Sequence, residues 1–502
     1  MKRFFRNIVL ASILIAGATS CSLTEEPNGF VSESNFFKSP KDAQSALTYA
    51  YAILPSIEYY SREYLIATEV PGEALTVKPD AGASQHELDR FDQKSNNPII
   101  LDMWRYAYIG INRCNAVITN TPKVPGLTDA ERGSIIGQAK FLRALHYFNL
   151  VRFFGDVVIR TEQVTSNNQT SAKLSPMKDV YALIEQDLLD AEKSLSPNRN
   201  FGKANQEAAQ ALLSKVYLQL ASASATNVPK YDWGINSAEM YKKAADYAKK
   251  VVVGDANYSF EYDLAKTWDN AERLEAKEMI FVSASSRDGL QEGEYSKLPL
   301  MFMPWADGAK VLQLPNGKEI RGGGFEHFYI EDGFLNSFNP KDKRKSELIV
   351  SKVTIPNGNG EGKDKVLTYP GDLNSAFPMK YLDSDQIGEK TTCDTPILRY
   401  SDIMLVYAEA VGPTAEGYKM VNMIRSRAGL PDLQAGLSIE DFRKAILKER
   451  GFELAFEGQR LFDLRRTHSV ESVLKDEYGK NITDGFYYYD IPQIEVDTNN
   501  SL

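Results

Sequence analysis

Apolar residues recur at helical spacing through most of this chain, and that recurrence limits the fold more than any other feature. In MWRYAYIGINRCNAVI (103–118), Trp104, Ala107, Tyr108, Ile111, Cys114 and Ile118 line one face at three- and four-residue intervals. In VYALIEQDLLDAEKSL (180–195) the same spacing aligns Tyr181, Ile184, Leu188, Ala191 and Leu195, and Pro197 stops the run. SPKDAQSALTYAYAIL (39–54) opens on Ser39-Pro40, a capping residue followed by the proline suited to a first helical turn. Further helical stretches cover 135–155, ended by Gly155, then 205–221 and 236–252, where Asn236 and Glu239 have capping-box spacing. Between about 255 and 395 Gly, Pro and aromatic residues increase, turn-dense runs such as PNGNGEGKDK appear, and EMIFVSA (278–284) reads as a strand. Helices return over 396–412, 415–430 and 438–458. Amphipathic helices in consecutive pairs predict a mainly α scaffold decorated with loops, although no fixed repeat period is visible.

A chain of 502 residues exceeds what one core usually organises, about 250–300 residues. The expected organisation is nevertheless one domain over 21–502, made of an N-terminal helical part (about 21–255), a loop-rich insertion (about 256–395) and a C-terminal helical part (about 396–502). A formal charge of −9 with no Lys/Arg run repels phosphate backbones, so nucleic acid is excluded as a partner.

Residues 1–20 follow another rule. Lys2, Arg3 and Arg6 precede the apolar run IVLASILIAGA (8–18), and ATSC brings small residues up to Cys21. This is the layout of a secretory signal peptide, too short to span a bilayer as a stable helix. Cys21 in this position resembles the lipobox of bacterial lipoproteins, where the thiol is acylated and anchors the mature chain. Ala18 stands where Leu is more usual. Glu25 and Glu26 follow closely, which resembles the signal that sends Bacteroidetes-type lipoproteins to the outer face of the outer membrane. Cys114, on an apolar helix face, and Cys393, in a loop, make neither a disulfide framework nor a metal cluster.

LAFEGQRLFDLRR (454–466) threads charges through Leu and Phe. With Glu449 and Glu453, Glu457 recurs at i, i+4 and i+8 on one predicted helix face, an arrangement that repels itself unless cations intervene. Arg450, Arg460, Arg465 and Arg466 supply cations within the block, and Arg399, Arg425 and Arg427 supply more from neighbouring predicted helices. The expected arrangement is an ion-pair lattice of Glu449, Glu453, Glu457, Arg460, Asp463, Arg425 and Arg427 that ties the terminal helices together. The rival reading makes Glu457 and Asp463 the acid and base of a glycoside hydrolase. The four histidines, His86, His146, His327 and His468, form no helix-spaced ligand pair, and RGGGFE (321–326) lacks the spacing of a phosphate loop. No cofactor or metal is expected.

Several segments, in order, resemble the SusD/RagB family of outer-membrane lipoproteins. WRYAYIGINRCN (104–115), AKFLRALHYFNLVRFFGDVV (139–158), ILRYSDIMLVYAEA (397–410), VNMIRSRAGL (421–430), ERGFELAFEGQRLFDLRR (449–466) and the terminal YYYDIPQIEVDTNNSL carry the resemblance. It implies a tetratricopeptide-like scaffold of helix pairs with a loop-rich ligand-binding side. It also implies a surface-exposed, non-catalytic lipoprotein, anchored in the outer membrane through Cys21, that passes oligosaccharide or polysaccharide to a SusC-type TonB-dependent transporter. Relatives of the RagB type deliver peptides instead, so a peptide ligand stays open.

Sugar capture needs flat aromatic faces with amides and carboxylates beside them. Trp104 lies in a matched helix and reads as core, Trp268 precedes a strand and reads as packing, and Trp233 sits in a short loop. Trp305, in YSKLPLMFMPWADG, has no periodic reason to be buried and is the first choice of platform, backed by Tyr295 and Phe302. The insertion at 59–100 adds Tyr59, Tyr60, Asp80, Gln85 and His86 as candidate ligand contacts.

Overall fold

A computed structural model describes residues 36–166, 169–254, 257–289, 294–483, 487–499 and 501. The signal segment and Cys21 lie outside these residues. Helix α1 (Pro40–Tyr51) starts on a full capping box, in which Ser39 and Asp42 each accept the other's main-chain N–H. The turn after it leads into two short helices, α2 (Glu63–Glu69) and α3 (Ala83–Asp89), so 59–100 is more structured than its loop-like text implies. Helix α4 (Pro98–Asn120) is capped by Asn97, whose side-chain oxygen accepts from Ile99 and Ile100, and α5 (Asp129–Phe154) by the Thr128–Glu131 box. α6 (Met177–Ser194), α7 (Gln206–Ala225) and α8 (Ser237–Val252) follow, each packed on its predecessor.

Helix α5 is the axis of this array. Every residue from Phe141 to Phe154 is buried, because α4 and α6 flank it and the C-terminal part covers its remaining face. A helix buried on all sides carries no clean apolar stripe. Its end is set at Gly155, whose φ of 78° suits glycine.

Helices α9 (Tyr400–Val411), α10 (Ala415–Arg427), α11 (Ile439–Glu453) and α12 (Arg460–Arg466) complete the scaffold, with α9 resting on α8. The helix expected from 396 begins only at Tyr400. Thr395–Arg399 is instead a strand paired antiparallel with Met279–Ser283, where Pro396 would disrupt a helix and strand pairing takes up the main chain. The middle of the chain holds short strands, including a four-stranded sheet of 319–321, 311–313, 352–355 and 365–368 in that order. Among the described residues no helix is long and apolar enough to cross a membrane.

The charged block lies buried where these parts meet. Glu453 receives Arg427 at 2.6 Å and Arg399 at 2.9 Å, while Arg344 approaches its other oxygen at 3.5 Å. Arg427 also pairs with Glu278, and Arg399 grips Glu457 through Nε and Nη2, each at 2.9 Å. Arg344, absent from the sequence expectation, clamps Asp342 and Glu449, and Arg425 reaches Glu449 at 2.8 Å. Arg450 bridges Asp402 and Asp463, Arg466 joins Asp463 to Glu409, and Arg460 reaches Glu73. Arg465 differs from its expected place among the acids: it lies over the ring of Tyr489.

The helical face expected to carry Glu449, Glu453 and Glu457 together ends at Glu453. Glu457 follows in a turn where Phe456 and Gly458 adopt φ of 70° and 74°. Buried Glu69 holds that turn by accepting the N–H groups of Phe456, Gly458 and Gln459 at 3.2, 2.7 and 3.0 Å. Gly458 is required twice over, since a Cβ there would also stand 2.6 Å from the ring of Tyr64. The three carboxylates thus reach the cations from different directions, which removes the like-charge stacking a continuous helix would impose.

Candidate functional site

The site is built around Trp305, which is 61% exposed and so the most open tryptophan among the described residues. Its segment is hung on main-chain hydrogen bonds. The N–H groups of Gly324, Phe325, Glu326 and His327 donate to the carbonyls of Pro304, Leu300, Met303 and Met301, at 2.6–3.1 Å. This approach needs glycine at 324, because a Cβ there would lie 2.0 Å from the Met303 carbonyl oxygen. The chain then enters the strand Phe328–Ile330, paired antiparallel with Leu75–Val77, and the N–H of Lys78 donates to the His327 carbonyl. That pairing carries Lys78 and Asp80 across to the Trp305 loop from more than 200 residues away. The Ser375 hydroxyl accepts from the Ile330 N–H and sets Asn374 beside them.

The result is an open cleft of about 550 Å3. Trp305, Phe325 and Tyr329 give it aromatic surface, and Lys78, Asp80, Glu326 and Asn374 give it polar groups. Glu326 is half-buried, and burial raises its carboxyl above the ordinary glutamate value. The Asn374 amide, donating at 2.9 Å, and the main-chain N–H of Trp305 favour its charged form. Glu326 is therefore held in place by the same loop that carries the aromatic platform. Lys78 Nζ lies 3.5 Å from Asp80 Oδ1.

A larger cleft, about 930 Å3, runs along α4 beside Trp104, Tyr108 and Ile109. Several of its polar groups are engaged by the surrounding chain. Asn112 is tied to the main chain of Val164, Asn115 to the carbonyls of Arg160 and Glu162, and Arg160 to those of Gln169 and Thr170. Arg113 covers the ring of Tyr49 at 3.7 Å. Hydroxyl recognition needs polar groups with spare donor or acceptor capacity beside an open ring, and the Trp305 cleft sets Lys78, Asp80, Glu326 and Asn374 around the most exposed tryptophan among the described residues.

Of the residues expected to contact ligand, Trp305 and Asp80 come together in this cleft and the others do not. Tyr59 and Tyr60 are corrected to core: Asn149 donates to both hydroxyls, at 2.9 and 2.7 Å, and His146 Nδ1 lies 3.1 Å from that of Tyr59. The turn after α1 folds inward onto α5, which withdraws both rings from solvent. Phe302 is likewise buried, stacked on Tyr381 at 5.5 Å beneath the platform loop. Tyr295 is half-buried under the ammonium of Lys390, and Gln85 and His86 ride half-buried on α3, outside the cleft lining. Lys78, Phe325, Glu326, Tyr329 and Asn374 were not expected. The one local signal was the glycine run 322–324, the mark of a close backbone approach.

Comparison with known proteins bears on the family and the fold. Residues 301–502 match the family model described as SusD family, and residues 37–218 match one described as starch-binding associating with outer membrane. A SusD-like protein of Formosa agariphila is 25% identical over 93% of this chain and 91% of its own. The starch-binding protein SusD of Bacteroides thetaiotaomicron is 23% identical over 80% and 77%. A solved structure of a laminarin binding SusD-like protein superposes with a TM-score of 0.74 at 23% identity, covering 92% of this chain and 98% of that one. The helical scaffold and its loop-rich side are thus the SusD-like fold. The chain belongs to the SusD/RagB family.

Proposed function

We propose that this protein captures oligosaccharide or polysaccharide at the outer-membrane surface, held by a lipid on Cys21, and passes it uncut to a SusC-type TonB-dependent transporter. The observation that carries the reading is the exposed Trp305 face set beside Asp80, Glu326 and Asn374 in one cleft. A sugar ring lays its C–H face on an aromatic plane and turns its hydroxyls to such groups. Relatives named for binding starch and laminarin support the ligand class, and the family description associating with outer membrane supports the location. The pair of carboxylates read from the sequence as a hydrolase's acid and base is held in ion pairs instead, Glu457 between Lys380 and Arg399, and Asp463 between Arg450 and Arg466. The test is affinity electrophoresis of the protein without its signal segment in gels containing laminarin or starch. Trp305→Ala should weaken retention at least tenfold with Tm unchanged. Equal retention by the variant would remove Trp305, and with it this cleft, from the ligand site.

A further inference from the structure

Resting on that reading, we infer that the Trp305 cleft accepts neutral, hydroxyl-rich glycans, and that Asp80 and Glu326 turn away chains bearing carboxylate or sulfate groups. The polar wall holds two carboxylates and one ammonium. The ammonium, Lys78, already faces Asp80 at 3.5 Å, and among the described residues no other Lys or Arg lines the cleft. A sugar hydroxyl can donate to a carboxylate while accepting from Lys78 or the Asn374 amide. A uronate or sulfate oxygen only accepts, so it meets Glu326 and Asp80 as one set of lone pairs against another. Glu326 is half-buried, where salt screens it less than a surface charge. One uncompensated carboxylate within about 6 Å, at an effective dielectric near 40, weakens an anionic sugar about tenfold.

The test compares matched polymers. Laminarin, starch and galactomannan, and each of them after oxidation of its primary alcohols to carboxylates, are cast into native gels at low salt. The retained neutral polymer should bind about tenfold more tightly than its oxidised form. That ratio should shrink to about threefold or less in Asp80→Asn/Glu326→Gln, and partly in Asp80→Asn alone, a change at an exposed position whose Tm should match the wild type. Raising the salt should narrow it as well. An oxidised polymer bound as tightly as its parent, or a ratio unchanged in both variants, overturns this inference and leaves glycan capture standing. Retention by none of the six polymers overturns glycan capture and this inference with it.

Discussion

Glu453→Gln isolates what the buried charge lattice contributes. The substitution keeps the shape of the side chain and removes one negative charge from among Arg427, Arg399 and Arg344. Those guanidiniums hold the Glu453 carboxyl at about 2, against an ordinary value of 4.5, even though burial opposes its charge. Loss of one partner from a buried ion pair costs about 3–5 kcal/mol, because the remaining charges stay desolvated. An unfolding entropy near 2.1 cal/mol/K per residue gives roughly 1 kcal/mol/K for a chain of this length, so Tm should fall by roughly 3–5 °C. Differential scanning fluorimetry at pH 7 reads the shift, with Glu440→Gln as control, since its i,i+4 pair with Lys444 is exposed. The depressed carboxyl supplies stability above about pH 4.5 that disappears as pH falls toward 2, so the gap between wild type and variant should close over that range. An unchanged Tm would mean that the Glu453 charge contributes nothing to stability, and weaker glycan retention with it would move Glu453 from the scaffold to the ligand site.

Two further predictions concern the contact between α4 and α5. A Cβ on Gly110 would stand 2.3 Å from Nε2 of His146, so Gly110→Ala should destabilise by about 1–3 kcal/mol in urea titration; a neutral result would show that the two helices can separate freely. Burial lowers the His146 imidazole to about 3 from an ordinary 6.5, so the folded protein holds it neutral and loses stability as pH falls from 6.5 toward 3. His146→Gln should flatten the dependence of unfolding free energy on pH between 6.5 and 4.5, and an unchanged slope would assign the acid limb to other groups.

The long amphipathic helices were legible because each buries one stripe, and the 3.6-residue period reports that directly. Burial on every side was not legible. The later turns of α5 and nearly the whole of α9 sit in the core, where periodicity vanishes. Tyr59 and Tyr60 read as loop aromatics because nothing local shows that Asn149, some ninety residues on, satisfies their hydroxyls. Trp305 was legible as a residue with no periodic reason for burial. Its partners were not, since Lys78 and Asp80 arrive through the pairing of 75–77 with 328–330, and short strands so far apart leave no trace in composition. The acids and arginines of the C-terminal block could be balanced by counting, but Arg344 and Glu278 enter from loop-rich text that gave no reason to look there.

The loop bearing Trp305 is suspended by amide-to-carbonyl bonds and a glycine contact, and such bonds are indifferent to which side chains the residues carry. Positions 305, 325 and 329 can therefore be rewritten without rebuilding the frame that displays them. The fold behaves as a fixed chassis with an exchangeable lens, so a new ligand preference should be reachable by mutagenesis confined to these three rings and Asp80.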